Sequence, residues 1–161
     1  MVECSTNCFF VVSLHSNNMD MVQKFIQTIL QTQSYYRQII HREIREHNID
    51  VTFEMLHILR CLDGAGNVNQ QELANLTFKD KSSLSYLIKN MEKRGLIRRE
   101  EDVNDKRSKL VLLTQKGNEL YKEIKRIIED VYSQMEECLD LEHIGICIEY
   151  MQEFTQTIKE K

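Results

Sequence analysis

The sequence contains no proline, and glycine appears only five times in its 161 residues. These two residues punctuate helices and build tight turns. Their scarcity points to long uninterrupted helices and excludes an all-β fold, which would need many turns. No C-x-x-C spacing links the five cysteines, Cys4, Cys8, Cys61, Cys138 and Cys147, and no secretion signal accompanies them. Reduced thiols in a cytoplasm are therefore the default expectation. The apolar stretch from Phe9 to Leu14, interrupted by Ser13, is too short for a signal core or a membrane span. G-x-S-x-G, P-loop and G-x-G-x-x-G motifs are all missing, as is a His paired with a nucleophile at a recognisable spacing. Neither catalysis nor a cofactor is expected. Among the five histidines, His41 and His47 stand six residues apart, about 240° around a helix, and no Cys/His cluster occurs. No metal site is expected either.

What is present is helical periodicity. Residues 1–18 hold no Lys or Arg and differ from the helical pattern after them; with Met19 and Met21 opening that pattern, they read as an N-terminal extension or a start-site artefact. From Asp20 to His47, Val22, Phe25, Ile26, Ile29, Tyr36, Ile40 and Ile44 form the apolar face of an amphipathic helix. Asn48-Ile49-Asp50 breaks it. Asp50 is expected to cap a second helix that reaches Leu62 and is buried through Phe53, Leu56, Ile58 and Leu59. Asp63 to Asn67 reads as a loop.

Asn69 and Glu72 have capping-box spacing at the start of a short helix ending near Leu76. Asp80 then caps a helix to Arg94, with Gly95 at the C′ position. In that helix Leu84, Leu87, Ile88 and Met91 face the core, while Ser82, Ser85, Tyr86, Lys89 and Lys93 lie opposite. A short helix, a turn and a helix with a polar, basic outer face make a helix-turn-helix. Leu96 and Ile97 next open an extended segment, Asp102, Asn104 and Asp105 turn it, and Leu110 to Leu113 return as a strand. Thr114 caps a further helix. A hairpin with Lys106 and Arg107 at its tip, placed directly after such a helix-turn-helix, is a wing: narrow enough for a minor groove while the helix occupies the major groove.

Charge is segregated along the chain. The formal net charge is −4, yet between Gly66 and Gly117 there are 11 basic and 7 acidic residues, an excess of +4 that leaves −8 elsewhere. A basic middle flanked by acidic ends fits a nucleic-acid-binding module better than the total does. Beyond the wing, Leu120, Ile124, Ile127, Ile128, Val131, Met135, Cys138 and Leu139 mark a long amphipathic helix. Asp140 caps a last one bearing Ile144, Ile148, Met151, Phe154 and Ile158. One winged core would not bury these faces and that of the first helix together, so they most simply form a dimer interface. The expected fold is mainly α with a small β-hairpin wing. Residues 48–113 make a winged helix-turn-helix DNA-binding domain, and residues 19–47 and 114–161 a helical dimerisation region.

The constellation G-L-I-x-R from Gly95 to Arg99, D-x-x-D-x-R from Asp102 to Arg107 and L-V-x-L-T-x-x-G from Leu110 to Gly117 resembles the MarR family of bacterial transcription regulators. The likeness runs over residues 20–161. It implies a triangular homodimer with interlocked terminal helices, binding a pseudo-palindromic operator in double-stranded DNA, as a repressor. It also implies that Asp105 and Arg107 shape the wing, the Asp orienting an Arg that enters the minor groove. Val103 stands where the family often has Pro, which implies a looser turn. Some thiol-based members carry a peroxide-sensing Cys near the position of Ile26; its absence disfavours that mechanism. Small, often aromatic or phenolic effectors bind in the family between the dimer helices and the winged module. Tyr35, Tyr36, Arg37 and His57 lie on segments suited to such a crevice and read equally as ordinary core and surface residues.

The candidate DNA contacts are Ser82, Ser83, Ser85, Tyr86, Lys89, Asn90, Lys93, Arg99, Asp105, Lys106, Arg107 and Lys109. Short Ser and Asn side chains suit base edges, whereas Lys89 and Lys93 suit phosphates. Ser82 and Ser83 also read as completing the helix cap, Tyr86 as a packing residue, and Arg98 and Arg99 as partners of Glu100 and Glu101. Cys61, Cys138 and Cys147 read most simply as small core residues. A thiol switch using them is one alternative function. The other is a winged module for protein contacts, with the acidic dimer body as its interface.

Overall fold

A 29-residue helix, α1 (Asn18–Glu46), opens the computed structural model, which describes residues 18–101 and 109–160. The chain divides into two compact units, residues 1–38 and residues 39–161. In the first, the described residues are helical throughout and hold Met19, Met21, Val22, Leu30 and Tyr35 toward solvent.

The second unit begins with the last turns of α1, where Ile40 and Ile44, four apart, are buried. Asn48 then adopts a left-handed backbone at φ 59°, turning the chain so that Ile49 and Val51 are both buried. Because those two residues are drawn into the core, α2 starts later than expected, at Phe53–Ala65. Its cap is Thr52, whose hydroxyl accepts from the Met55 amide at 3.3 Å, and not Asp50. Asp63, Gly64 and Ala65, expected in a loop, are still helical; Gly66 at φ 71° ends the helix.

A two-residue strand, β1 (Val68–Asn69), leads into α3 (Gln70–Thr77) and α4 (Lys81–Lys93). The wing strands β2 (Ile97–Glu101) and β3 (Lys109–Leu113) come next, then α5 (Gln115–Glu136) and α6 (Leu141–Lys159). The sheet is antiparallel in the order β1-β3-β2, with Val68 opposite Val111 and Ile97 opposite Leu113. Too short for any period-two pattern, β1 has no sequence signature. Leu59, Leu73, Leu84, Ile88, Leu96, Val111 and Ile124 fill the core, so α2, α3, α4, α5 and the sheet share one apolar centre.

The end of α5 and all of α6 behave differently. No residue of α6 is buried, and Leu139, Leu141, Ile146, Ile148, Tyr150 and Ile158 are more than half exposed. Cys138 and Cys147, read from the sequence as small core residues, are exposed as well, because the surfaces that carry them meet no core in a single chain. Among the described residues, no helix is long and apolar enough to cross a membrane.

Candidate nucleic-acid interface

The two helices of the helix-turn-helix are set by their caps. Asn69 Oδ1 accepts from the Glu72 amide at 2.9 Å while Glu72 Oε2 accepts from the Asn69 amide at 3.0 Å, the reciprocal pairing that the sequence spacing predicts. At the far end of α3, Phe78 reverses the chain at φ 52°, and the Lys79 amide closes the turn on Ala74 O at 3.1 Å. Asp80 then caps α4. Its carboxylate accepts from the Ser82 and Ser83 amides at 3.0 and 2.9 Å, from the Ser83 hydroxyl at 2.6 Å, and from the Ser82 hydroxyl. Those two hydroxyls and the Ser83 amide hold the Asp80 carboxyl well below the usual carboxylate range.

This geometry sorts the predicted contacts. Ser82 and Ser83 are exposed, and both hydroxyls point their protons at Asp80, leaving lone pairs outward. Ser85, expected on the outer face, is half-buried; its oxygen accepts from Gln70 Nε2 at 2.6 Å, joining α4 to α3. Leu87, expected in the core, is also only half-buried. Tyr86 does not pack inward, since it is 72 % exposed. Lys81, Lys89 and Lys93 are exposed along the same helix, and Asn90 is half-buried.

The base of the wing is bound to α4. Arg99 donates to both carboxylate oxygens of Glu92, Nε at 3.1 Å and Nη2 at 2.5 Å, a bidentate pair between β2 and the last turn of α4. The hydrogen bond from Arg99 lowers the Glu92 pKa and the same bond raises that of Arg99. Arg98 pairs with Glu100 at 2.9 Å. Arg99 thus finds its acid on the neighbouring helix, while Glu101 faces Lys109 across the sheet register. Lys109 is exposed at the start of β3. Asp105, Lys106 and Arg107, with Asp102 and Asn104, lie outside the described residues.

A second joint fixes α4 to α5. The Thr114 hydroxyl lies 2.6 Å from Gly95 O, to which it donates, and accepts from the Gly117 amide at 3.0 Å. The Thr114 amide donates to Leu96 O at 3.0 Å, and Lys116 Nζ donates to Arg94 O at 2.9 Å. Gly95 supplies the left-handed turn at φ 68°. Gly117 is required for another reason: a Cβ there would lie 1.9 Å from Leu96 O. The two ends of the motif, residues 94–96 and 114–117, therefore form one packed junction. On the other side, the Arg94 guanidinium donates to Asp50 O, stands 3.6 Å from the Asp50 carboxylate, and meets Met55 Sδ at 3.4 Å.

Sequence reasoning did not single out Phe78, the Glu92–Arg99 pair, or the Gln70–Ser85 bond. Of these, only Phe78 carried a local signal, an aromatic between Thr77 and Lys79 where a turn must fall. Elsewhere, His57 is half-buried on α2, and burial, then Arg60 and Lys79, hold its pKa down. Burial pushes the Cys61 thiol up, which leaves it a poor nucleophile at neutral pH. Tyr35, Tyr36 and Arg37 belong to the first unit.

Comparison with known proteins gives consistent results. The MarR family model matches residues 51–109. The chain is 33% identical over 93 residues to the HTH-type transcriptional regulator FarR of Neisseria gonorrhoeae, a match covering 58% of this chain and 64% of that one. It is 30% identical over 121 residues to the homoprotocatechuate degradative operon repressor of Escherichia coli, covering 75% and 78%. Among solved structures, NadR in complex with 4-hydroxyphenylacetate superposes with a TM-score of 0.69 at 26% identity, over 89% of this chain and 96% of that one.

Proposed function

The chain belongs to the MarR family of DNA-binding transcription regulators, and we propose that it acts as a homodimeric repressor in the cytoplasm, on a pseudo-palindromic operator. Its relatives are regulators and not enzymes. The observation that carries the reading is the outer face of α4, where Lys81, Tyr86, Lys89 and Lys93 are all exposed beside the wing. The recognition helices of two copies would enter successive major grooves about 34–36 Å apart. Asp80 already satisfies the first amides of α4, so phosphate contact falls to the lysines. Ser82 and Ser83, with their protons on Asp80, would present acceptors to base amino groups.

Residues 48–113 would form the DNA-binding module, and residues 19–47 and 114–161 the dimer body. The apolar surfaces left open on α1, the end of α5 and α6 would be covered by the second copy. An apolar groove of about 550 Å³ along α6, lined by Ile144, Cys147, Ile148 and Met151, lies in that surface.

A small aromatic acid is the proposed effector. Two relatives support it: one represses a homoprotocatechuate operon, and the other was solved with 4-hydroxyphenylacetate.

Fluorescence anisotropy against duplexes tiled across the region upstream of its own gene, at two salt concentrations beside random DNA, tests the reading. One tile bound at about 10⁻⁸ M or tighter, about 10³-fold over random sequence, is the expected result. Equal weak binding to every tile, abolished by salt, would overturn it.

A further inference from the structure

Phe78 occupies a position that its chemistry does not favour. Its backbone sits in the left-handed region at φ 52°, where Gly or Asn is the ordinary choice and a bulky residue is an outlier. Its ring is 90 % exposed, so no burial within this chain compensates for the strain. Strain held at an exposed position calls for a purpose outside the fold.

The surroundings name the partner. Phe78 ends α3 and stands two residues before the Asp80 cap of α4, in the turn that leads into the recognition helix. Lys79 and Lys81 follow it on the C-terminal side with Asp80 between them, and that carboxylate is committed to Ser82 and Ser83. Two lysines within three residues of an exposed apolar side chain suit the approach to a phosphate backbone. In helix-turn-helix docking, the start of the second helix approaches base edges. Phenylalanine has no donor or acceptor, and the one apolar feature of the major-groove edge is the C5-methyl of thymine.

We infer that Phe78 is a specificity-determining residue that reads a thymine methyl at the edge of each operator half-site. The inference rests on the DNA-binding reading above. It adds one base to the expected recognition pattern and predicts that the thymine occurs symmetrically in both half-sites.

The test uses the full-length protein and its highest-affinity tile, with each thymine replaced singly by deoxyuridine, which removes only the methyl. Wild type should lose about fourfold in affinity at one symmetric pair of positions, roughly the value of one buried methyl group. Phe78→Asn removes the contact from both half-sites, so it should bind the parent duplex about 16-fold more weakly and be indifferent to uracil at those positions. Because Asn accepts the left-handed backbone, the variant should also melt about 2–4 °C higher, separating lost recognition from lost folding. Unchanged affinity in Phe78→Asn would overturn the inference, as would a uniform loss on operator and random DNA with no thymine dependence. Failure of wild type to bind any tile would sink the DNA-binding reading and this inference together, a result distinct from the other two.

Discussion

Gly117 and Asp80 illustrate how much single residues fix here. A methyl group at position 117 would lie 1.9 Å from the backbone oxygen of Leu96, with no flexible side chain available to yield. Gly117→Ala should therefore destabilise the fold by about 2–3 kcal/mol, read as a shift in urea midpoint at constant slope. Asp80 acts through its charge. Its carboxyl is held below the ordinary value of 3.8 in the folded protein, so unfolding takes up a proton as the medium becomes acid. Its contribution is complete above that value and is lost as pH falls below it. Urea midpoints measured from pH 2 to pH 7 should show wild type more stable than Asp80→Asn at neutrality, with the gap closing under acid. A constant gap would mean that the Ser82 and Ser83 contacts do not depend on ionisation.

At the scale of elements, the pair between Glu92 on α4 and Arg99 on β2 sets the wing against the recognition helix and neutralises one cation of the proposed interface. Glu92→Gln should release Arg99 to phosphate and steepen the slope of log K against log salt by about 0.9 per half-site. An unaltered slope would show that Arg99 stays within the wing. Arg107→Ala should weaken operator binding by about 1–3 kcal/mol at fixed salt, as groove insertion requires.

Apart from β1, the element order was legible from sequence because its signals are local. Asn69, Asp80, Thr114 and Asp140 each bond to amides two or three residues ahead, and Gly95 supplies its own turn. What escaped depends on tertiary packing. Asp50 looks as good a cap as Thr52 until Ile49 and Val51 are seen to be buried. The Gln70–Ser85 and Glu92–Arg99 bonds join residues 15 and 7 apart, across elements whose relative placement no local pattern encodes. Cys138, just past the end of α5, and Cys147 on α6 follow the apolar periodicity, but the surface that carries them meets no core in a single chain.

For the whole molecule, the exposed apolar residues of α1 and α6 are the surface that the proposed dimer would cover. Ile148→Asp places a charge in the groove along α6 and should convert the protein to a monomer by light scattering, with operator affinity lower by about 10²-fold through lost bivalency. A dimer that persists in this variant would move the interface elsewhere.

The Thr114–Gly117 junction has a mechanical consequence for such an assembly. With the end of α4, the base of the wing and the start of α5 held at one joint, α5 would serve in the proposed dimer as a lever and the recognition helix as the jaw mounted at its end. Its 22 residues give an arm of about 33 Å. A rotation of roughly 10° at the far end displaces the jaw by about 6 Å, close to one turn of helix. In the proposed dimer such a calliper would open at its pivot, so the proposed ligand would not need to touch the DNA-reading surface to change the span that it measures.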